Sequence, residues 1–158
     1  MGEILSRAQL VERIAAERRA GRTIAFANGC FDLLHVGHVR YLEAAGQEAD
    51  LLVVALNDDE SVKKLKGEGR PILNAGHRAA LVAALRCVDF VVIFPERDVA
   101  PLLEALHPDV HCKGTDYTVE SVPERAVVAA YGGRTAIVGD PKDHSTRDLL
   151  SRIANESR

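Results

Sequence analysis

Two histidines three residues apart, His35 and His38, close the stretch Asn28-Gly29-Cys30-Phe31-Asp32-Leu33-Leu34-His35-Val36-Gly37-His38. On a helix that spacing puts both imidazoles on one face. Paired imidazoles can donate hydrogen bonds to oxyanions, and more strongly when protonated. Gly37 between them keeps a side chain out of the path of a polyanion approaching the backbone. If a helix starts here, its first N–H groups and partial positive charge favour phosphate. The chemistry that suits these residues is phosphate binding and stabilisation of charge developing on phosphate oxygens. Two plainer readings stand beside it. One is a zinc pair, although the glutamate of HExxH is missing and no third ligand is evident. The other is a pair of helix-cap or surface histidines, with Gly29 and Gly37 as turn glycines, which phosphate cradles also use.

Other segments carry related chemistry. Lys63, Lys64 and Lys66 precede Gly67 and Gly69, a cationic run that could be a solvated face or part of a closing lid. Lys113 opens the run Lys113-Gly114-Thr115-Asp116-Tyr117 at a strand end, where a buried cation needs an anion. That anion could be a phosphate or a structural partner such as Asp116. Ser145 and Thr146 bring two hydroxyls to an expected helix start, suited to capping the helix or binding phosphate. Cys112 reads as a small buried hydrophobe and His77 as structural or solvent-facing.

These residues must be positioned by the surrounding elements. Aliphatic and β-branched runs predict buried parallel strands at 23–27, 51–56, 90–94, 110–112 and 135–138. Helical spacing alternates with them. Ser6 is a candidate N-cap for a helix carrying Leu10, Ile14 and Ala15 and stopped by Gly21. Residues 36–49 form a second helix with Tyr41, Leu42 and Ala45 inward. Asn74 caps 75–86, Asp98 caps a run to 106 with Pro101 in its first turn, and 123–131 and 145–153 complete the set. The alternation predicts a single Rossmann-like, doubly wound α/β sheet of about five parallel strands with helices on both faces. Ligands in such sheets sit at the carboxyl ends of the strands, where the strand order reverses. The polar turns at 28–38, 113–117 and 139–146 are therefore the places to look.

In this turn the motif His-Val-Gly-His after Gly-Cys-Phe-Asp resembles the HxGH signature of the nucleotidyltransferase superfamily. The resemblance runs from about Thr23 to Ile153 and continues through Lys63-Lys64-Leu65-Lys66-Gly67, Arg70-Pro71, Lys113-Gly114, Asp116-Tyr117, Gly132-Gly133 and Ser145-Thr146 in the same order. It is closest to the branch that transfers AMP from ATP to D-glycero-β-D-manno-heptose 1-phosphate. The resemblance implies His35, His38 and Lys66 as catalytic residues. It implies Asn28, Gly29, Cys30, Phe31, Gly37, Lys63, Arg78, Gly114, Ser145 and Thr146 around the nucleotide. Asp32, Lys113 and Asp116 fall to the sugar phosphate, and Asn28 is a candidate for that side as well. It also implies Mg²⁺ entering with ATP, with no protein-held metal. The last turn departs from the family: Asp143 and His144 precede Ser145, and His144 has no family role. Asp140 stands where glycerol-phosphate cytidylyltransferases carry an arginine, which counts against cytidine.

Composition bounds the alternatives. The 158 residues carry 20 Lys plus Arg against 23 Asp plus Glu, a net charge of −3, so nucleic acid and anionic membrane are not expected partners. The longest apolar run, 79–85, falls far short of the roughly 20 residues that span a bilayer. Without a signal peptide or a disulfide pattern among Cys30, Cys87 and Cys112, a cytoplasmic location is the default. One domain over 1–158 is expected, with an N-terminal helix in 1–22 and a catalytic core in 23–153. Some relatives carry this transferase behind a sugar kinase, and 158 residues leave no room for both, so a separate kinase is expected. Exposed apolar positions in 81–85 would suit a homodimer. The runner-up reaction is CTP with glycerol 3-phosphate or a similar alcohol phosphate. A nucleotide-binding regulatory module and a nicotinamide-dependent dehydrogenase are further readings; intact His35, Gly37 and His38 disfavour the first, and the absence of GxGxxG the second.

Overall fold

The computed structural model describes residues 1–141 and 143–157; Lys142, in the last of the three polar turns, and Arg158 lie outside the described residues. Six parallel strands are present among them: β1 (Glu3–Ile4), β2 (Ile24–Gly29), β3 (Leu51–Asn57), β4 (Phe90–Phe94), β5 (Val110–Lys113) and β6 (Arg134–Ile137). They form one sheet in the order β1-β4-β3-β2-β5-β6. From β2 the chain steps outward through β3 to β4, then crosses back to place β5 on the other flank. The order thus reverses between β2 and β5, the crevice where α/β sheets take ligands.

Helices cover both faces. On one side Leu42 and Ala45 of α2 (Val36–Gly46) and Ala79, Val82 and Ala83 of α4 (Ala75–Ala83) pack on Ala25, Ala27, Leu52 and Val54. On the other, Leu10 and Ile14 of α1 (Arg7–Arg19), Leu102, Leu103 and Leu106 of α5 (Ala100–Leu106), and Val128 of α6 (Arg125–Ala130) meet Ile24, Phe26 and Val53. Successive strand residues alternate between these two clusters, as the two-residue period requires. β3 is buried along its whole length, the expected state of a central parallel strand covered on both faces.

The expected strands and most helices are present, and the differences have local causes. Ser6 caps α1 in a reciprocal box with Gln9, and Gly21 follows the helix with φ of 81°. The segment expected to hold only a helix also contributes β1, whose two residues pair with β4 at Glu3↔Phe90 and Ile4↔Val91. Two residues give no readable periodicity. Residues 59–66, where no helix is expected, form α3 (Asp59–Lys66), started by Asp58 accepting from the Ser61 N–H at 2.8 Å. The helix after Asn74 stops at Ala83, and the α5 N-cap is Val99, with Asp98 Oδ1 accepting from the Ala100 N–H. The last helix, α7 (Thr146–Glu156), is capped by Ser145.

Candidate active site

The signature turn leaves β2 and enters α2 under backbone constraint. Phe31 and Leu33 have φ of 49° and 50°, the left-handed region that L side chains seldom occupy. Such strain persists only where the surroundings over-determine it, and it clusters at functional sites. Here the surroundings are polar and buried. Asp32 is 2% exposed, and its carboxylate accepts from Arg70 Nε (2.9 Å) and the Ile72 and Leu73 N–H groups (2.8 and 3.0 Å). Burial alone would raise its pKa, but the bonds from Ile72, Leu73 and Arg70 outweigh that and hold it below the usual carboxylate value. Arg78 is 0% exposed. It donates from Nε to Leu73 O, from Nη1 to Cys30 O and Asn57 O, and from Nη2 to Asp59 Oδ1 (2.6–2.9 Å).

Asp32 is expected on the sugar phosphate and Arg78 on the nucleotide. In this structure Asp32 ties the turn to the 70–73 segment, and four of Arg78's five N–H groups bind protein.

The histidines lie where the spacing placed them. The His35 and His38 rings stack with centroids 3.9 Å apart at the start of α2. His38 Nδ1 accepts from the His35 backbone N–H at 3.3 Å, so a neutral His38 carries its proton on Nε2. Gly37 has a sharper purpose than expected. A Cβ there would come within 3.0 Å of the His35 ring, so the glycine makes room for the imidazole itself. Gly29 does the same for Phe31, at 3.1 Å.

Cys30 sits half-buried beside Asn57, with Sγ 3.9 Å from Asn57 Oδ1. Burial raises its thiol pKa against the opposing pull of Lys66, Arg78 and Arg70. The charge of Lys66, from the last turn of α3, therefore reaches the signature turn. Lys66 is exposed, followed by Gly67 and Gly69 at φ of 98° and 79°. Lys63 is exposed too and lies 3.5 Å from Glu68.

Across the crevice, Lys113 ends β5 with its ammonium 4.7 Å from the Tyr117 ring centre. Burial lowers its pKa, against the opposing pull of the Glu124 charge. Gly114 faces open space and Asp116 is exposed. Thr115 Oγ1 donates to Asp140 O at 2.9 Å, while Asp140 pairs with Arg40 of α2 at 3.3 Å. Ser145 Oγ accepts from the Asp148 N–H, and Thr146 Oγ1 donates to Asp32 O at 2.9 Å, pinning the start of α7 to the signature turn. The unassigned His144 comes with it, its ring 6.4 Å from that of His35 and its Nε2 3.2 Å from Asp143.

Sequence reasoning missed His111. It is 0% exposed, and its Nε2 lies 2.9 Å from Asn28 Oδ1 across the β2–β5 switch. Burial, helped by the charge of Lys113, lowers its pKa to about 3, so it is neutral near pH 7. A polar residue inside a strand of buried residues was the available signal, since buried polar groups need partners. Asp59, which holds Arg78, was also missed; nothing in its local sequence marks that contact.

A doubly wound sheet whose switch point opens onto paired imidazoles at a helix start defines an α/β domain equipped for phosphate chemistry. The cytidylyltransferase-like family model matches residues 26–152, and the chain belongs to that family. It is 45% identical over 151 residues to the bifunctional protein HldE of Syntrophotalea carbinolica, covering 96% of this chain and 31% of that protein. Against HldE of Geobacter sulfurreducens it is 49% identical over 140 residues, 89% of this chain and 29% of the relative. The chain thus spans about a third of the length of these relatives. Among solved structures it resembles a lipopolysaccharide core biosynthesis protein from Thermoplasma volcanium (TM-score 0.67, 25% identity, 77% of this chain and all of that one). Among the described residues no helix is long and apolar enough to cross a membrane.

Proposed function

We propose that the chain is an adenylyltransferase that moves AMP from ATP to a sugar 1-phosphate, D-glycero-β-D-manno-heptose 1-phosphate, forming ADP-heptose and pyrophosphate. The observation that carries this reading is the stacked His35–His38 pair over Gly37 at the β2–β5 switch point. The ordered motifs of the heptose branch and the HldE relatives support the choice of substrate. The name of the matched family does not decide the base. CTP with glycerol 3-phosphate is the second reading, disfavoured by Asp140, whose carboxylate binds Arg40 where a cytidine enzyme has an arginine.

In the reaction a terminal, non-ester oxygen of the sugar 1-phosphate attacks the α-phosphorus of ATP in line. The bond from that phosphorus to the bridging oxygen breaks, and pyrophosphate leaves. A phosphate monoester is already an anion, so positioning and charge stabilisation carry the rate. His35 and His38 hydrogen-bond the α-phosphate and bridging oxygens. Lys66, with Lys63 beside it, reaches the β,γ-phosphates from the end of α3, and the Ser145–Thr146 helix start faces the same anion. Asn28, Lys113 and Asp116 take the sugar-phosphate side, with Gly114 leaving space. Bound to the nucleotide's phosphates, Mg²⁺ would supply further positive charge for the leaving pyrophosphate. Among the described residues there is no cluster of three or more His, Cys, Asp or Glu that could hold a metal ion. Asp32 and Arg78 serve as scaffold.

The proposal extends to a catalytic domain over 23–153, cytoplasmic action, a sugar kinase acting in the same pathway, and a homodimer using exposed Leu81. Pyrophosphate release across a panel of nucleoside triphosphates and sugar or polyol phosphates tests the core reading. Release with ATP and the heptose 1-phosphate alone is expected. Release with CTP and glycerol 3-phosphate would establish the second reading, and silence with every pair would point to a binding module.

A further inference from the structure

His111 sits in the interior of β5, between Val110 and Cys112, where an aliphatic side chain would bury at lower cost. It lies in register with Phe26 of β2, and the two rings pack with centroids 5.9 Å apart at a 60° tilt. Strand alternation places Asn28, two residues beyond Phe26, on the same face. An amide oxygen only accepts, so the 2.9 Å contact requires the proton of His111 on Nε2. Nδ1 is then a bare acceptor, and it is buried with no hydrogen-bond partner among the described residues. The imidazole therefore makes one polar contact among the described residues, and that contact is to the last side chain of β2. Holding Asn28 Oδ1 fixes the plane of the amide, and with it the direction of the two Nδ2 N–H groups.

We propose that His111 is a positioning residue: a buried, neutral Nε2–H imidazole that aims the Asn28 carboxamide at the phosphate of the bound substrate. It acts through Asn28 and touches no substrate itself. The proposal rests on the adenylyl-transfer reading for the identity of the substrate, while the tautomer and the contact do not depend on it.

The test has two arms. In the first, long-range ¹H–¹⁵N spectra of the whole chain read the histidine tautomers without any reaction. A His111 signal of the Nε2–H form, unchanged from pH 5 to 8, is expected; an Nδ1–H form or a titrating imidazole overturns the proposal. In the second arm His111→Leu, His111→Gln, Asn28→Ala and the Leu/Ala double variant are assayed for kcat and KM of both substrates, with unfolding midpoints alongside. Small misplacements of reacting groups are costly, so His111→Leu should lower kcat/KM by about tenfold. His111→Gln retains an N–H donor near the Nε2 position and should recover most of the loss, which a purely packing role would not allow. In the Asn28→Ala background, His111→Leu should change kcat/KM less than twofold. Equal effects with and without Asn28, or a folded His111→Leu variant with unchanged kcat/KM, overturn it. If His111→Leu does not fold, His111→Gln alone and with Asn28→Ala decides. Absence of turnover in the unaltered chain would count against the functional reading, leaving the spectroscopic arm to judge the contact.

Discussion

The two edges of the sheet use polar residues in opposite ways. At the amino edge, carboxylates stop the strand ends. Asp50 accepts from the Thr23 N–H, Asp89 from Leu52 and Asp109 from Ile24, at 2.7–2.8 Å. Each meets a backbone donor at the start of a strand, so the need and its answer lie within the protein. At the carboxyl edge every strand-to-helix passage brings a helix start, with positive partial charge and N–H groups to satisfy. There the chain places His35, His38, Lys66, Lys113, Ser145 and Thr146. Even within this edge there is a division: Asp32 and Arg78 are buried in protein contacts, whereas Lys63 and Lys66 are exposed. Edge polarity alone does not mark a functional group. At this edge buried groups held by the protein and exposed cations stand side by side.

That division can be broken experimentally. The largest effect is expected from His38→Ala, which removes a donor to developing charge. Turnover should fall on the order of 10²–10³-fold while the unfolding midpoint stays within about 2 °C, a change of under 1 kcal/mol. Near-normal turnover in a folded variant would remove His38 from the chemistry. Arg78→Leu should behave oppositely in kind, costing about 3 kcal/mol of stability as buried carbonyls and Asp59 lose their partner. Calorimetry that found no loss would show that Arg78 is not a strut.

Acid comes next. His111 is depressed from 6.5 to about 3 in the fold, so the native state binds fewer protons than the unfolded chain below pH 6.5. Its contribution is complete above pH 6.5 and is lost as pH falls toward 3, amounting to about 2 kcal/mol by pH 5. Denaturant unfolding at pH 7 and 5 should show a smaller drop in His111→Leu than in the unaltered chain. Asp32 adds its own loss only below its ordinary value of 3.8.

Lys66→Ala is expected to raise the KM for ATP roughly tenfold, about 1.4 kcal/mol, with the fold intact. Unchanged kinetics at sub-saturating ATP would transfer the role to Lys63. Smallest is Asp109→Ala at the opposite edge, about 1 kcal/mol of stability with kcat/KM within twofold. A larger activity loss than stability loss there would undo the contrast between the edges.

Much of the fold was legible because its signals are local. The strand at 90–94 and the caps at Ser6, Asn74 and Ser145 follow from side-chain types within a few residues. β1 escaped because two residues owe their strand state to β4. α3 escaped because its Asp- and Lys-rich run looks like a loop until Asp58 caps it.

For the site, sequence alone determined the chemical inventory. The spacing of His35 and His38, the glycine between them and the turn after the first long strand are written in consecutive residues. Tertiary structure decided which polar groups the protein itself engages. Arg78 meets carbonyls 48 and 21 residues away, Asp32 meets N–H groups about 40 residues on, and His111 finds Asn28 across 83. Hydrogen-bond partners so distant in the chain are chosen by strand order and helix packing, and no local pattern records them.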